Sequence, residues 1–201
     1  MNNFMRMLAL SILAIGQMAF VAAYGQSTPA TAFADDTLNQ VLAAVAKEPL
    51  TAAPFLERRL SPLFAKSLES RGTLTYKPPG HLEKLTTSPI REKLTITGDT
   101  ITIESGSSAP KLIKLDAQKN LAAYAHGVRA LLSGDSKPLQ QYFDVKLSGT
   151  VAHWELKLSP TDEAIRRALR NIVISGDKGQ IRVIETTELN GDSNELTILA
   201  R

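Results

Sequence analysis

A run of ten residues that alternates apolar and hydroxyl side chains around a central Gly-Asp pair limits the fold of this chain more than any other segment. The run is Leu94-Thr-Ile-Thr-Gly-Asp-Thr-Ile-Thr-Ile103, and its central pair matches the two-residue loops that close tight antiparallel hairpins. Because strand side chains alternate between two faces, Ile96 is predicted to face Ile101. Leu94 and Ile103 then pair on the same face. A sheet with one apolar face needs a cover, and the cover decides the function.

The same alternation recurs along the chain and predicts further antiparallel strands. Strands are predicted over residues 55–60, 68–76, 82–87 and 111–115. A second hairpin places its apolar residues on one face through the pairs Leu147–Trp154, Val145–Leu156 and Phe143–Leu158. Two more hairpins are predicted near the C-terminus, the first of them with Ile172 and Ile174 facing Ile181 and Val183.

Three segments have the period of amphipathic helices. The first begins at Asp35 or Asp36, carries one apolar stripe and ends before Pro49. The second runs over residues 120–133, with Gly134 at its C-terminal cap. A short third helix starts at residues 160–163 and ends among arginines, as the helix dipole favours. Three helices interspersed with about ten strands predict an α+β domain that is mainly antiparallel and barrel-like.

The N-terminal 25 residues have the pattern of a secretory signal peptide. Arg6 supplies a positive charge, residues 7–23 form an apolar run, and small residues follow at 23–25, with alternative cleavage sites at 30–34. The run approaches the roughly 18 residues that span a bilayer, so an uncleaved membrane anchor is the alternative. Residues 26–34 are rich in Ser, Thr, Pro and Ala and are predicted to form a flexible tether. One exported domain is expected over residues 35–201.

Composition argues against several classes of function. The chain has no cysteine, so neither a disulfide framework nor lipidation of a cysteine is available to it. Its net charge of +3 is scattered and aromatic residues make up only 5%, so a basic nucleic-acid footprint and a base-stacking platform are both lacking. Stability must come from a hydrophobic core, which a domain of this length can bury. We therefore expect a soluble, monomeric exported protein that does not bind nucleic acid.

No catalytic or metal-binding constellation stands out from the background. Gly134-Asp135-Ser136 is similar to the start of a lipase-type nucleophile block, but the Asp-x-x-His partner that this chemistry needs is missing. The triplet follows a helix, where these residue types serve as caps and turns. His81, His126 and His153 are far apart in sequence and have no ligand at metal-binding spacing. We expect no enzyme activity, no cofactor and no metal site.

A series of short motifs, ordered along nearly the whole chain after the tether, points to a known family. The motifs begin with Gly72-Thr-Leu-Thr-Tyr-Lys-Pro-Pro79, Leu82 and Thr87-Ser-Pro89. They continue through the Gly-Asp hairpin, residues 131–143 and the strand Trp154-Glu-Leu-Lys-Leu-Ser-Pro160. In this order the chain resembles the LolA-type periplasmic carriers of outer-membrane lipoproteins, and most of all their divergent LolA-like branch.

The resemblance implies an incomplete, half-open β-barrel of ten to eleven strands, whose concave apolar face is covered by a lid of three helices. It also implies a non-catalytic carrier that takes the acyl chains of a lipoprotein or another lipid from an inner-membrane donor complex to an outer-membrane acceptor. The expected cavity wall consists of Leu74, Tyr76, Leu94, Ile96, Ile101, Ile103, Val145, Leu147, Trp154, Leu156 and Leu158. The expected underside of the lid consists of Leu38, Val41, Leu42, Leu121, Val128, Leu131 and Leu132.

One departure from the family pattern concerns control of the lid. Typical members have an arginine directly before the proline that ends the Gly-x-Leu strand, where it ties the lid shut, but this chain has Pro78 there, preceded by Lys77. Aromatic residues, abundant in the typical cavity, are scarce. Both departures leave room for a different lipid or lipid-linked cargo. The alternative hypothesis is a non-catalytic envelope assembly protein with a filled core and a protein-binding surface.

Overall fold

A computed structural model describes residues 35–48, 50–62, 67–115 and 119–200. The predicted signal peptide over residues 1–25 and the predicted tether over 26–34 lie outside the described residues. The side chain of Leu121, one of the expected lid residues, lies outside them as well. The eleven strands that the structure describes are β1 (Ala53–Leu60), β2 (Leu68–Lys77), β3 (His81–Ser88), β4 (Glu92–Thr97), β5 (Thr100–Ser105), β6 (Lys111–Lys114), β7 (Phe143–Gly149), β8 (Trp154–Pro160), β9 (Leu169–Asp177), β10 (Gln180–Glu188) and β11 (Ser193–Ile198).

All eleven strands belong to one sheet in which every neighbouring pair is antiparallel. Their order is β6-β5-β4-β3-β2-β1-β11-β10-β9-β8-β7. Strands β6 and β7 are the two edges, so the sheet does not close on itself within the described part of the chain. The prediction of an α+β fold built on a half-open antiparallel barrel of ten to eleven strands is confirmed.

The described residues contain four helices, one more than the sequence predicted. They are α1 (Asp35–Ala46), α2 (Lys119–Ser133), α3 (Ser136–Tyr142) and α4 (Glu163–Arg166). Helix α3 was missed because it fills the short interval between α2 and β7 without a loop of its own. Gly134 ends α2 with a φ of +79°, and Asp135 caps α3 by accepting a hydrogen bond from the Lys137 amide at 3.0 Å. Helix α4 has only one turn, because β8 continues to Pro160 and β9 starts at Leu169.

The hairpin at residues 94–103 has the register that the sequence predicts. Ile96 lies opposite Ile101, and Leu94 lies opposite Ile103. Gly98 has a φ of +53° at the first central position of the turn, a conformation that glycine adopts without a steric cost.

Two other predicted registers are wrong, and in the second of them the predicted face of one residue is wrong as well. In the β7–β8 hairpin Leu147 lies opposite Leu156 rather than Trp154, because the chain turns within residues 150–153 and both strands extend further than expected. A shift of two residues keeps every side chain on its face, since the strand period is two. Between β9 and β10, Ile174 lies opposite Ile184 because the register shifts at a bulge near the start of β10. Val183 consequently lies opposite Ser175, on the other face from Ile174 and Ile181, so its predicted face is wrong.

One hydrophobic core fills the space between the helices and the sheet face that they cover, which we call the concave face. The predicted stripe of α1 is buried there, and α1 contacts α2, α3 and β10. Helix α2 contacts the other three helices, and α4 contacts β8 and β9. The helices therefore act as the cover that a sheet with one apolar face requires.

The connections between strands define two ends of the sheet. Since all neighbours are antiparallel, alternate connections fall at the same end. The turns of β2–β3, β4–β5, β7–β8 and β9–β10 lie at what we call the hairpin end. The connections of β1–β2, β3–β4, β5–β6, β8–β9 and β10–β11 lie at what we call the rim end. These two ends orient the candidate site.

Candidate functional site

An unfilled space of about 250 Å³, which we call the inner cavity, lies between the middle of the concave face and helix α2. A single buried water needs only about 10–15 Å³, so the inner cavity is far larger than a hydration site. Its walls come from strands on both sides of β1, from α2 and from the start of β9. The protein's own side chains thus do not fill the region between sheet and lid.

Six of the predicted site residues meet at the inner cavity. They are Leu74, Leu94 and Ile96 of the expected wall, and Val128, Leu131 and Leu132 of the expected lid. The other large aliphatic residues of the lining were not among the predicted site residues; they are Leu50, Leu82, Leu169, Ile181, Ile184 and Leu196. The strand period could have found several of them, because Leu82 lies directly opposite Ile96 and Ile184 lies directly opposite Leu196.

The remaining predicted wall residues lie elsewhere on the concave face. Buried in the closed core, and not lining the inner cavity, are Tyr76, Ile101, Trp154, Leu156 and Leu158. Val145 and Leu147 are half-buried and pack against the same core. The Trp154 indole donates a hydrogen bond to the Lys178 carbonyl at 2.8 Å, and its ring lies over Gly176. This ring therefore fills the part of the core that lies at the hairpin end of β8 and β9.

The predicted lid residues of α1 also pack inside the core rather than at the inner cavity. Leu38, Val41 and Leu42 are all buried. Helix α2 is therefore the helix that covers the inner cavity, through Val128 and the two leucines of its last turns.

A wider depression of about 480 Å³, which we call the outer groove, adjoins the inner cavity. The two spaces share Glu57, Arg59, Lys84 and Leu94 in their linings. Ile103, a predicted wall residue, lines the outer groove as well. The described residues around the groove all come from strands and rim-end loops, so helix α2 covers the inner cavity but not the groove.

A buried ion pair lies where the inner cavity and the outer groove meet. Lys84 Nζ is 2.6 Å from Glu57 Oε1, and the carboxylate also accepts hydrogen bonds from Ser70 Oγ at 2.7 Å and Asn194 Nδ2 at 3.0 Å. Burial acts to raise the pKa of Glu57, but the charges of Lys84 and Arg59 and these hydrogen bonds outweigh it and bring the pKa to about 2. Burial lowers the pKa of Lys84, and the Glu57 charge opposes that shift. Glu57 is therefore ionised at neutral pH.

The polar lining residues gather on the side of the inner cavity that faces the rim end. Arg59 is the penultimate residue of β1, Asn194 is the second residue of β11, and Glu188 ends β10. Burial and the nearby Asp192 carboxylate raise the pKa of Glu188 to about 7, while Arg59 acts in the opposite direction. Several polar groups of the inner cavity therefore lie toward the rim end, whereas Leu82 and Ile96 line it near the hairpin end.

The sequence contained a signal for the inward charges. Glu57 and Arg59 follow Phe55 at every second position of β1, so they share the face of a buried aromatic ring. Lys84 is related to Leu82 in the same way on β3. Charged residues that follow core residues at the strand period predict polar groups on the buried face, although Glu57, Arg59 and Lys84 were not among the predicted site residues.

Helix α2 is tied to the hairpin end of the sheet by Arg129. Its NH1 group donates a hydrogen bond to the Gly98 carbonyl at 2.7 Å, and its NH2 group lies 3.7 Å from the exposed Asp99 carboxylate. NH2 also lies 2.9 Å from Nδ1 of His126, whose ring stacks on Tyr142. Burial, and then the Arg129 charge, lower the pKa of His126. A neutral imidazole can accept a hydrogen bond from Arg129 at Nδ1.

The residues that could suggest chemistry have structural partners. Ser136 Oγ donates a hydrogen bond to Asn39 Oδ1 at 2.8 Å, between α3 and α1. His81 contacts Thr97 Oγ1 at 3.0 Å, and His153 contacts the Asp177 carboxylate at 2.7 Å. Across the described residues, no group of three or more His, Asp or Glu side chains is placed to hold a metal ion. Within the same residues, none of the helices has the length and apolar character needed to cross a bilayer.

The family model described as "Outer membrane lipoprotein carrier protein LolA-like" matches residues 28–201. The chain belongs to this LolA-like family. The resemblance inferred from the sequence motifs is thereby confirmed. No curated protein matches the sequence significantly.

Solved structures similar to this LolA-like chain share little sequence with it. The LolA superfamily protein NE2245 from Nitrosomonas europaea is 9% identical, with a TM-score of 0.41 over 82% of this chain and 92% of that chain. The Pseudomonas aeruginosa MucA/MucB complex is 16% identical, with a TM-score of 0.42 over 82% of this chain and 56% of that chain. The Mycobacterium tuberculosis lipoprotein LppX is 14% identical, with a TM-score of 0.39 over 82% and 94%.

Proposed function

We propose that this LolA-like protein is a non-catalytic carrier that binds the acyl chains of a lipoprotein, or of another lipid, in the inner cavity. It works in the periplasm as a monomer, after removal of residues 1–25, and needs no cofactor or metal. It receives its cargo from an inner-membrane donor complex and delivers it to an outer-membrane acceptor. The unfilled apolar space under α2 is the observation that carries this proposal.

The chemistry of the inner cavity suits a hydrocarbon chain. Its large apolar residues are aliphatic, and each methylene that leaves water contributes about 0.8 kcal/mol to binding. The polar residues at the rim side of the cavity suit the polar end of a lipid, whose acyl chain then points toward the hairpin end. Reversible binding of this kind needs no nucleophile, which agrees with the structural role of Ser136 in holding α3 to α1.

Uptake of a fluorescent fatty acid by the purified protein tests the proposal. We expect the wild type to bind the probe at a ratio of one to a few per chain, and Ile96→Glu to abolish binding, because an unpaired carboxylate would enter the buried apolar wall. The matched control is Thr97→Glu, which adds the same charge at the next position of β4, where the side chain is exposed.

A second variant protects the test against misfolding. Leu94→Trp adds volume to a half-buried wall position without adding charge, and we expect it to reduce probe binding while the circular dichroism spectrum stays unchanged. Wild-type affinity in both cavity variants would refute the assignment of the cavity. Absence of probe uptake by the wild type would instead favour the envelope assembly hypothesis, in which no ligand enters the core.

A further inference from the structure

Exposed large apolar side chains are concentrated at the rim end of the sheet. Among the described residues, four of the six most exposed ones lie there: Ile90 is 69% exposed, Leu60 55%, Leu189 52% and Leu68 50%. They belong to the β1–β2, β3–β4 and β10–β11 connections or to the strand residues next to them. A single exposed leucine is ordinary, but several on neighbouring loops mark an interaction surface. We call these four side chains the apolar rim.

Exposed cations lie beside the apolar rim. Arg91 follows Ile90 directly in the β3–β4 connection. Arg166 ends α4, and Arg170 is the second residue of β9, so both lie at the same end of the sheet. An apolar patch with guanidinium groups next to it matches the chemistry of an anionic bilayer surface, where side chains enter the interface and cations contact the lipid head groups.

Three exposed acidic side chains at this end are already engaged inside the protein. Asp162 caps α4 by accepting hydrogen bonds from the first amides of the helix. Glu163 pairs with Arg167 at 2.9 Å, and Glu69 pairs with Arg58 at 3.1 Å. Their negative charge is thus partly compensated within the protein, which reduces the repulsion from an anionic surface.

The apolar rim is continuous with the proposed binding site. Leu68 and Ile90 line the outer groove as well as standing exposed at its end. The groove in turn shares Leu94 and the Glu57–Lys84 pair with the inner cavity. One line of contacts therefore leads from the exposed rim through the groove to the space under α2.

We propose that the apolar rim docks this protein on an anionic lipid bilayer, and that acyl chains pass between the bilayer and the inner cavity through the outer groove. Docking at the rim would bring a chain that leaves the bilayer against the aliphatic residues of the outer groove on its way past the Glu57–Lys84 pair, whereas a route through open water would expose every methylene. The transfer step rests on the proposed carrier function. The docking step does not, because it depends only on the surface of the rim end.

Vesicle flotation tests the docking step with the chain as isolated after export. We expect the protein to float with vesicles of phosphatidylethanolamine and phosphatidylglycerol, and to bind phosphatidylcholine vesicles more weakly. Leu60→Ser/Leu189→Ser changes two rim residues that line neither the inner cavity nor the outer groove, and it should lower the partition coefficient by at least about tenfold, because two apolar side chains no longer enter the interface. Leu199→Ser is the matched control, since Leu199 is 43% exposed but follows β11 at the hairpin end.

The same variants separate the two proposals. Leu60→Ser/Leu189→Ser should still bind the soluble fatty acid probe, while Leu94→Trp should bind the probe less tightly than the wild type and still float with anionic vesicles. The docking proposal would be overturned if the double rim variant floated as well as the wild type. It would also be overturned if the wild type bound a purified partner protein but not vesicles. If the wild type floats with anionic vesicles but does not bind the probe, the carrier function is refuted and the docking proposal is retained.

Discussion

Removing the charge of Lys84 is expected to destabilise the fold strongly, because Glu57 would stay buried without its nearest counter-ion. The surroundings of Glu57 lower its pKa from 4.5 to about 2, and one pKa unit corresponds to about 1.36 kcal/mol, so they favour the ionised form by about 3 kcal/mol. Lys84 makes the shortest contact, at 2.6 Å. Removing one partner of a buried pair costs about 3–5 kcal/mol. We expect Lys84→Met to lower the free energy of unfolding at pH 7 by about 3 kcal/mol.

Urea denaturation of the wild type, Lys84→Met and Glu57→Gln/Lys84→Met measures this loss. The double variant no longer buries a carboxylate without its nearest counter-ion, so it should regain at least half of the stability that the single variant loses. The acid dependence gives a second readout. Since folding lowers the pKa of Glu57, its contribution is complete above pH 4.5 and is lost as the pH falls toward 2. The double variant should lack that part of the acid destabilisation. If the free energy of unfolding of Lys84→Met lies within about 1 kcal/mol of the wild-type value, Lys84 is not the counter-ion that stabilises the buried Glu57 carboxylate.

Two further predictions concern the lid helix and the rim side of the inner cavity. Arg129→Met removes the 2.7 Å hydrogen bond to the Gly98 carbonyl, and a charge-assisted bond of this kind contributes about 1.5–3 kcal/mol. Hydrogen exchange of the α2 amides should therefore become at least about tenfold faster, while exchange of the β8 amides is unaffected. Unchanged protection of the α2 amides would contradict this prediction. Folding raises the pKa of Glu188 from 4.5 to about 7, so the wild type loses stability as the pH rises through that interval. Glu188→Gln should therefore have the same free energy of unfolding as the wild type near pH 4 and a free energy of unfolding about 1 kcal/mol higher at pH 8, after allowance for the partial exposure of this side chain. Thermal melts at the two pH values measure this gain, and its absence at pH 8 would contradict the raised pKa of Glu188.

The apolar face of the sheet could be predicted from the sequence because alternation is a local property. Ile96 lies two residues before the Gly98-Asp99 turn, and Ile101 lies two residues after it. Because this type of turn specifies its own geometry, both the face and the register of the two strands could be predicted. Where the loop was longer, as before Trp154, the face was still right but the register was off by two residues. Periodicity fixes the face, and only the turn fixes the register.

The position of the cavity could not be predicted in the same way. Leu94 and Leu156 have the same pattern of neighbours in sequence and both point toward the helices, yet Leu94 lines the inner cavity while Leu156 is fully buried in the core. The difference depends on where α2 and the other helices lie over the sheet, which is a long-range property. Helix α3 was missed for a related reason, since its seven residues carry too little periodicity to be distinguished from a turn.

The distribution of large side chains explains why the space under α2 stays open. The Trp154 ring lies over Gly176 at the hairpin end of β8, and the Phe143 ring packs against Gly127 of α2, so two of the few aromatic residues fill other parts of the core. The apolar lining of the inner cavity consists of leucine, isoleucine, valine and alanine side chains. This space of about 250 Å³ adjoins the outer groove, which leaves part of its aliphatic lining accessible to solvent. A hydrocarbon chain that enters this space removes those side chains from water and packs against them, so the aliphatic lining is itself a source of affinity for an acyl ligand.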